Sequence, residues 1–478
     1  MTSRGVKGSR RVRGRLVLLA GASVLLLTLL PVGEPDGGGP NALSPPSPAQ
    51  STTSTTTDQQ PTEPPATTTA TTTIPPIEAV IPLTVDTVID RIAPSVGFVL
   101  TQQGTGSGVV ISDELLVTNA HVVWPDQAVS LVFRNGATFK GRVLAIDPFV
   151  DLAVVDISRL SRKPPPLALG STEGIASGDE LWIVGYPNPF EFTPEPTVDL
   201  GEVTGLIDWE FSGVRWVSVA APAIGGQSGG AVVDAAGRLV GISTFGSTSS
   251  LTSIGIDDVV ARVEEMLAGN PVRGLEPRSI PHAGARRTWD VGLEGEWDQQ
   301  LFIGWLPATI DVTLAAAGTG LELAARTIDG TQLAEGTERL EFRPGFAFPV
   351  VVAAESRRQS AGQIDASLPL IAYTDPDHGR VLSRVGTAIG VYDVGRDRDF
   401  FYLDLPSGED VTITIESAAR THLWVYDPDG EVVAEDVDES GFIGSSAAVQ
   451  INARIAGRYI VALENSLSTV SGYSVVTR

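Results

Sequence analysis

Gly225-Gly226-Gln227-Ser228-Gly229-Gly230, running directly into Ala231-Val232-Val233, sets one serine in a frame of glycines at the head of an apolar strand. Glycines remove Cβ atoms where a backbone must turn tightly and where another group approaches closely. In such a turn the amides of Gly226 and Ser228 can converge on a developing oxyanion. A glycine-rich hairpin with an incidental serine reads the same way, so a base and an orienting carboxylate must be sought elsewhere in the chain.

Between residues 80 and 270 the sole histidine is His121, within Val117-Thr118-Asn119-Ala120-His121-Val122-Val123. A lone histidine is often structural, and this one gains force from being the only base of its kind available to the serine. The segment Ile146-Asp147-Pro148-Phe149-Val150-Asp151-Leu152-Ala153-Val154-Val155 offers two carboxylates. Asp147 precedes a proline and reads as a turn residue. Asp151 opens an apolar strand, where a charge is partly buried and requires a partner. Asp151 is therefore the expected orienting acid, and the order His121, Asp151, Ser228 fits the chymotrypsin arrangement rather than the subtilisin or α/β-hydrolase order.

Around these residues the chain is β-rich. From Leu83 to about Gly269 it carries VGFVL, SGVVI, LLVTN, VSLVF, LAVVD, LWIVG, WVSVA, GAVVD and LVGIS, separated by Gly, Pro and Asp turns. Many short strands at this spacing predict a sandwich or barrel. The only clear helix signal closes the segment, with Asp257 or Asp258 as cap, VVARVEEMLA as body and Gly269 as stop.

Residues 285–478 form a second β-rich region with an internal repeat. Asp290-Val291-Gly292 recurs as Asp393-Val394-Gly395, IDVTL from 310 as DVTITI from 410, and Ile328-Asp329-Gly330 as Pro428-Asp429-Gly430. Alternating strands with an Asp-Gly turn predict two small β-sandwich modules, 285–375 and 385–478.

The N-terminal part reads differently. Arg4, Lys7, Arg10, Arg11, Arg13 and Arg15 make residues 1–15 basic, and an uninterrupted apolar run follows from Leu16 to Val32. That run is about the shortest that spans a bilayer as a helix, and its flanking charges keep the N-terminus cytoplasmic. A signal anchor is preferred to a cleaved signal peptide because no convincing A-x-A site follows; either exports the rest. Residues 33–79, with the tracts TTSTTT and ATTTATTT, are a flexible Pro/Thr-rich linker without enough apolar surface to fold.

The 478 residues suggest roughly three folded units. The net charge of −24 conceals a body with 27 basic against 57 acidic residues once the basic start is set aside. Such a body repels phosphate backbones, so nucleic acid is excluded as a partner. The absence of cysteine excludes disulfides, thiolate metal sites and a cysteine nucleophile. Asp397, Asp399, Asp427, Asp429, Asp436 and Asp438 were weighed as calcium ligands, but no full EF-hand spacing exists. His282, His378 and His422 are scattered without ligand spacing. No metal and no cofactor are expected.

In order and spacing, IAPSVGFVL, GTGSGVVI, TNAHVV, DPFVDLAVV, VGYP, GEVTG, GGQSGGAVV, GRLVGIST and SIGIDD resemble the protease domain of the HtrA (Deg) branch of trypsin-like serine proteases. The resemblance covers about residues 80–270. It implies a chymotrypsin-like double β-barrel and an extracytoplasmic serine endopeptidase acting through an acyl-enzyme, in protein quality control or surface protein processing. It places the base at His121, the acid at Asp151, the nucleophile at Ser228 and the oxyanion donors at Gly226 and Ser228. Polypeptide substrates, unfolded or surface-borne, are the implied partners, with oligomerisation left open and the membrane engaged through the N-terminal segment. The implied location is the cell membrane, single-pass, or secretion if the segment is cleaved.

Three departures qualify the transfer. Gln227 stands where the family usually has Asn. Ala220-Ala221-Pro222-Ala223-Ile224 lacks the acidic residue often found there, so Pro222 bears on the specificity pocket, and its uncharged wall Ser243-Thr244-Phe245 favours a small or medium apolar side chain. No PDZ domain follows. In its place, DRDFFYLDLPSGEDVTITI, LWVYDPDG and AGRYIVALENSLSTVSGYSVV resemble the bacterial pre-peptidase C-terminal domain, with the first module like a degraded copy. The contrasting expectation is a catalytically silent or latent protease-like scaffold that binds surface partners through these modules.

Overall fold

A computed structural model describes residues 83–478 apart from 103, 188–194, 210–212, 280–286, 292–296, 307–310, 329, 345–348, 367–368, 393–395, 418, 438–444 and 466–470. The basic start, the apolar run Leu16 to Val32 and the linker 33–79 lie outside the described residues, as do His282, Asp438 and the repeat element Asp393-Val394-Gly395. Among the described residues no helix is long and apolar enough to cross a membrane.

The first helix, α1 (Val85–Arg91), had no counterpart in the strand pattern. Thr84 starts it, its hydroxyl accepting the Thr87 amide at 3.3 Å. Val88 buries the inner face.

Twelve strands then form two closed barrels. β1 (Val96–Leu100), β2 (Thr105–Val110), β3 (Leu115–Thr118), β4 (Ala128–Phe133), β5 (Thr138–Asp147) and β6 (Leu152–Asp156) close in the order β1-β2-β3-β6-β5-β4. β7 (Glu180–Gly185), β8 (Thr197–Trp209), β9 (Val214–Ala220), β10 (Ala231–Val233), β11 (Leu239–Gly246) and β12 (Leu251–Gly255) close as β7-β8-β9-β12-β11-β10. The second path is the first displaced by six strands, so this half of the chain is one barrel design used twice. Closure removes the exposed edges that such short strands would otherwise present. Val109 and Val117 of the first barrel and Trp182, Val184, Ala231 and Ile254 of the second share one hydrophobic core, which fixes the two barrels face to face.

Two further helices complete this half. α2 (Ala120–Val123) is a single turn after β3, and α3 (Ile256–Ala268) follows β12. Gly255, not an aspartate, occupies the N-cap of α3, and Asp257 and Asp258 lie in its first turn. They are drawn away from capping by neighbours: Asp257 Oδ2 accepts the Thr172 amide at 2.7 Å, and Asp258 Oδ2 accepts the Arg215 amide at 2.8 Å. Gly269 closes the helix at φ +80°, as the sequence requires of it.

The next segment contains β13 (Arg287–Val291), β14 (Asp298–Trp305), β15 (Val312–Thr327), β16 (Gln332–Thr337), β17 (Arg339–Phe342), β18 (Pro349–Ala366) and β19 (Ile371–Tyr373), all in one sheet. The last contains β20 (Arg380–Val381), β21 (Gly386–Tyr392), β22 (Arg398–Leu405), β23 (Asp410–Ser417), β24 (Thr421–Tyr426), β25 (Val432–Val437), β26 (Ser445–Asn452), β27 (Gly457–Asn465) and β28 (Ser471–Thr477). These make a five-stranded sheet, β20-β22-β27-β24-β25, and a four-stranded sheet, β21-β28-β23-β26.

The internal repeat extends to strand pairing. β15 pairs with β16 so that Ala325 faces Ala334, and β24 pairs with β25 so that Val425 faces Ala434, each with a register shift at the following residue. β15 does alone what β23 and β24 do together, and β18 what β27 and β28 do together. Where the later unit breaks its strands and splits into two sheets, the earlier runs them through and remains one sheet. Its two halves still close on a common core, in which Val312 and Leu314 of one half meet Leu323 and Ala325 of the other.

That earlier sheet packs on the first barrel. Leu301, Ile303, Val351, Ala353, Ile371 and Tyr373 belong to the same cluster as Trp124, Phe149 and Leu160. Tyr373 meets Phe149 edge-on at 5.7 Å between ring centroids, and the Arg273 guanidinium covers the same Phe149 ring at 4.9 Å.

Candidate active site

His121 and Asp151 come from the first barrel and Ser228 from the second. His121 lies on α2, immediately after β3. Asp151 ends the turn before β6, and its carboxylate grips His121 at two points. Oδ1 accepts the His121 amide at 2.9 Å, and Oδ2 lies 2.7 Å from Nδ1. A ring nitrogen facing a carboxylate carries the proton, so Nε2 is left as the basic atom.

Asp151 is itself held in place. Its φ of +59° lies in the left-handed region, which aspartate tolerates better than most residues. The Asn119 side chain donates to the Asp151 carbonyl at 2.9 Å and to Thr244 Oγ1 at 3.2 Å, linking the Asp151 turn to the second barrel. Asp147 is a fully buried turn residue, its Oδ1 accepting the Phe149 amide at 2.9 Å. Burial pushes its carboxyl up, against the nearby charges of Arg262 and Arg273.

The serine loop depends on its glycines. Gly226 has φ +95°, and a Cβ on Gly229, at φ +82°, would stand 2.1 Å from the Ser107 carbonyl oxygen. Ser107 donates its hydroxyl to the Gly226 carbonyl and accepts the Tyr186 amide, both at 2.8 Å. The Gly226 carbonyl is thereby occupied, and among the described residues the amides of Gly226 and Ser228 have no intramolecular acceptor. Gln227 turns inward: its Oε1 accepts the Ile224 amide at 3.0 Å, and its Nε2 donates to Thr197 Oγ1 at 2.9 Å and Asp199 Oδ2 at 2.8 Å. The Ser228 hydroxyl donates to the Thr244 carbonyl at 3.0 Å.

Of the residues expected to line a substrate pocket, Pro222 is exposed, whereas Ser243 and Thr244 are buried beneath the serine loop. Ser243 exchanges backbone bonds with that loop, accepting from Gly229 at 2.7 Å and donating to Gly230 at 2.9 Å. Phe245 rests on Trp216 at 5.2 Å between ring centroids. None of the four carries charge.

Three participants escaped the sequence reading. Ser107 and Asn119 stand inside quoted motifs, GTGSGVVI and TNAHVV, and were legible there as polar residues set among apolar ones. Trp305, on β14, carried no such signal; its indole lies 5.4 Å from the His121 imidazole between ring centroids.

Among the candidate calcium aspartates, Asp427 caps a turn and Asp436 bonds across to the strand β26. Asp427 Oδ1 accepts the amides of Asp429 and Glu431, and Asp436 Oδ2 accepts that of Ala448.

Residues 106–242 match the family described as the trypsin-like peptidase domain. The chain is 29% identical over 184 residues to serine protease HTRA4 of Homo sapiens, covering 34% of this chain and 37% of that protein. It is 29% identical over 183 residues to serine protease HTRA1A of Danio rerio, again covering 34% and 37%. The chain thus spans little more than a third of the length of these relatives. Among solved structures, the HtrA-type protease AlgW with tripeptide aligns over 40% of this chain and 66% of its own, at 28% identity and TM-score 0.36.

Proposed function

We propose that the chain is a serine endopeptidase of the HtrA type in which His121, Asp151 and Ser228 carry the reaction, a reading supported by the trypsin-like peptidase match over residues 106–242 and by the similarity to HtrA serine proteases. The observation that carries this reading is the two-point hold of Asp151 on His121, at 2.7 and 2.9 Å, which leaves Nε2 free to act as a base.

In the proposed cycle the Ser228 hydroxyl leaves the Thr244 carbonyl and gives its proton to His121 Nε2 as Oγ attacks the scissile carbonyl carbon. The Gly226 and Ser228 amides receive the oxyanion. As the carbonyl re-forms, the C–N bond breaks, and His121 returns the proton to the departing amine, leaving Ser228 acylated. Water then repeats the sequence, giving its proton to His121, and the acid product leaves a restored serine. The Asp151 side chain stabilises the imidazolium formed twice in the cycle.

Pro222, Ser243, Thr244 and Phe245 form the proposed wall for the residue preceding the cleaved bond. Their lack of charge supports a small or medium apolar side chain there. The basic start followed by the apolar run Leu16 to Val32 supports an extracytoplasmic catalytic domain, tethered to the membrane by a stalk, acting on unfolded or surface polypeptides. The C-terminal units are read as pre-peptidase C-terminal-like modules.

Casein cleavage and fluorophosphonate labelling by the purified chain test the assignment. Ser228→Ala should lose both, with turnover reduced about a thousandfold or more. Undiminished cleavage by Ser228→Ala would refute it.

A further inference from the structure

The linker between β19 and β20 brings together three ligand-type side chains that the protease chemistry does not use. Asp375 and His378 lie on the linker and Asp399 on β22, and one ligand atom from each falls within 4.8 Å of the others. Asp399 is fully buried and Asp375 is 4% exposed. One oxygen of each carboxylate is spoken for: Asp375 Oδ1 accepts the Asp377 amide at 2.8 Å, and Asp399 Oδ2 accepts the Tyr473 hydroxyl at 2.7 Å. Asp375 Oδ2, Asp399 Oδ1 and both ring nitrogens of His378 are buried without a partner of good hydrogen-bond geometry among the described residues, the two carboxyls facing each other and the His378 ring facing the Arg398 backbone.

Two carboxylates enclosed together are costly unless a positive charge offsets them. The nearby arginines are directed elsewhere. Arg398 pairs with Glu355 at 3.0 Å and Glu464 at 2.6 Å, and Arg380 pairs with Asp377 at 3.2 Å.

We propose that Asp375, His378 and Asp399 bind a divalent transition-metal ion, which fastens the linker to the last β unit. An imidazole nitrogen with two carboxylate oxygens suits zinc-like ions, whereas calcium takes six to eight oxygens. Tyr473, bonded to the far oxygen of Asp399, orients that ligand from behind. The role is structural. In a chain without cysteine, the ion replaces a disulfide at the junction that follows Tyr373, which itself packs on the first barrel.

The test uses the untagged full chain carrying Ser228→Ala, which prevents self-cleavage and makes the result independent of the protease assignment. After stripping with chelator, Zn2+ should rebind at one ion per chain by elemental analysis and raise the Tm of the transition that includes the last unit by several degrees. Co2+ should give the visible absorption bands of a nitrogen- and oxygen-ligated ion, displaced by Zn2+. His378→Ala and Asp399→Asn should each lose the stoichiometric ion. The Co2+ spectrum is read on unaltered ligands, so it decides the matter even where a variant misfolds. No uptake of Zn2+ or Co2+ by the stripped protein would overturn the proposal, and would leave the two carboxyls sharing a proton instead. Equal uptake by well-folded ligand variants would overturn it too.

Discussion

The Trp305 indole lies 5.4 Å from the His121 imidazole between ring centroids, inclined at 52°. His121 belongs to the first barrel and Trp305 to the sheet that follows the two barrels, so a residue from outside them flanks the proposed base. The contact is secured by docking, since Leu301 and Ile303 of the same strand are buried in the barrel's cluster. His121 nevertheless keeps 30% of its side chain exposed, which leaves the ring reachable.

Trp305→Ala should therefore remove the ring that flanks the proposed base His121. An aromatic contact of this kind is worth about 0.5–1.5 kcal/mol, so kcat/KM for peptides should fall by about 2–10-fold. Labelling of Ser228 by a small fluorophosphonate should change little, because the triad is untouched. Trp305→Phe should stay near the parent in both assays, since the Nε1–H it removes has no acceptor among the described residues. A cleavage profile identical in parent and Trp305→Ala would show that the indole only packs.

Asp151→Asn tests the two-point hold. The amide group can still face His121, but it offers a donor where the ring nitrogen needs an acceptor, which favours the wrong tautomer. A loss of about 10^4 in kcat is expected with KM nearly unchanged, measured on a peptide substrate. Asp147→Asn should instead act on stability, because Asp147 caps the Phe149 turn and lies 3.4 Å from Arg262. A large kcat loss in Asp147→Asn with unchanged Tm would reverse the two roles.

Ser107 ties down the turn that carries Gly226, a proposed oxyanion donor. Removing its hydroxyl frees the Gly226 carbonyl and orphans the buried Tyr186 amide, at a cost of about 1–3 kcal/mol. Ser107→Ala should lower Tm and reduce kcat by more than KM changes, since the loosened turn holds the Gly226 amide less firmly. Parent-like kcat, in a variant shown by calorimetry to be less stable, would confine Ser107 to a structural role.

What the sequence revealed follows from how local each signal is. The alternating strands, the glycines around Ser228 and the burial of Asp151 are properties of short segments, and each is found where its segment indicates. The capping of α3 was misread because Asp257 and Asp258 spend their carboxylates on Thr172 and Arg215, which are distant in the chain. The contact of Trp305 with His121 depends on one sheet docking on another, and no periodicity encodes that. His378 looked isolated for the same reason: Asp399 reaches it only once β22 is paired, and Asp375 precedes it by a spacing that alone specifies nothing.

Asp257 provides the pH-dependent test. Burial alone would raise its carboxyl, but bonds from the Thr172 hydroxyl and amide and the Ser171 hydroxyl, with Arg215 nearby, hold it below the ordinary 3.8. The native state therefore binds this proton less readily than the unfolded chain. The stabilisation is present in full above pH 3.8 and is lost as pH falls through the lower native value. The group is exposed at the surface, so solvent screening keeps its contribution to about 0.5–1 kcal/mol, including its place at the start of α3. Asp257→Asn should lower Tm slightly at pH 7, and the difference from the parent should shrink below pH 3.8, measured by thermal denaturation across the acid range. A difference that stays constant to the lowest pH would mean that the hydrogen-bond geometry, not the charge, supplies the stability.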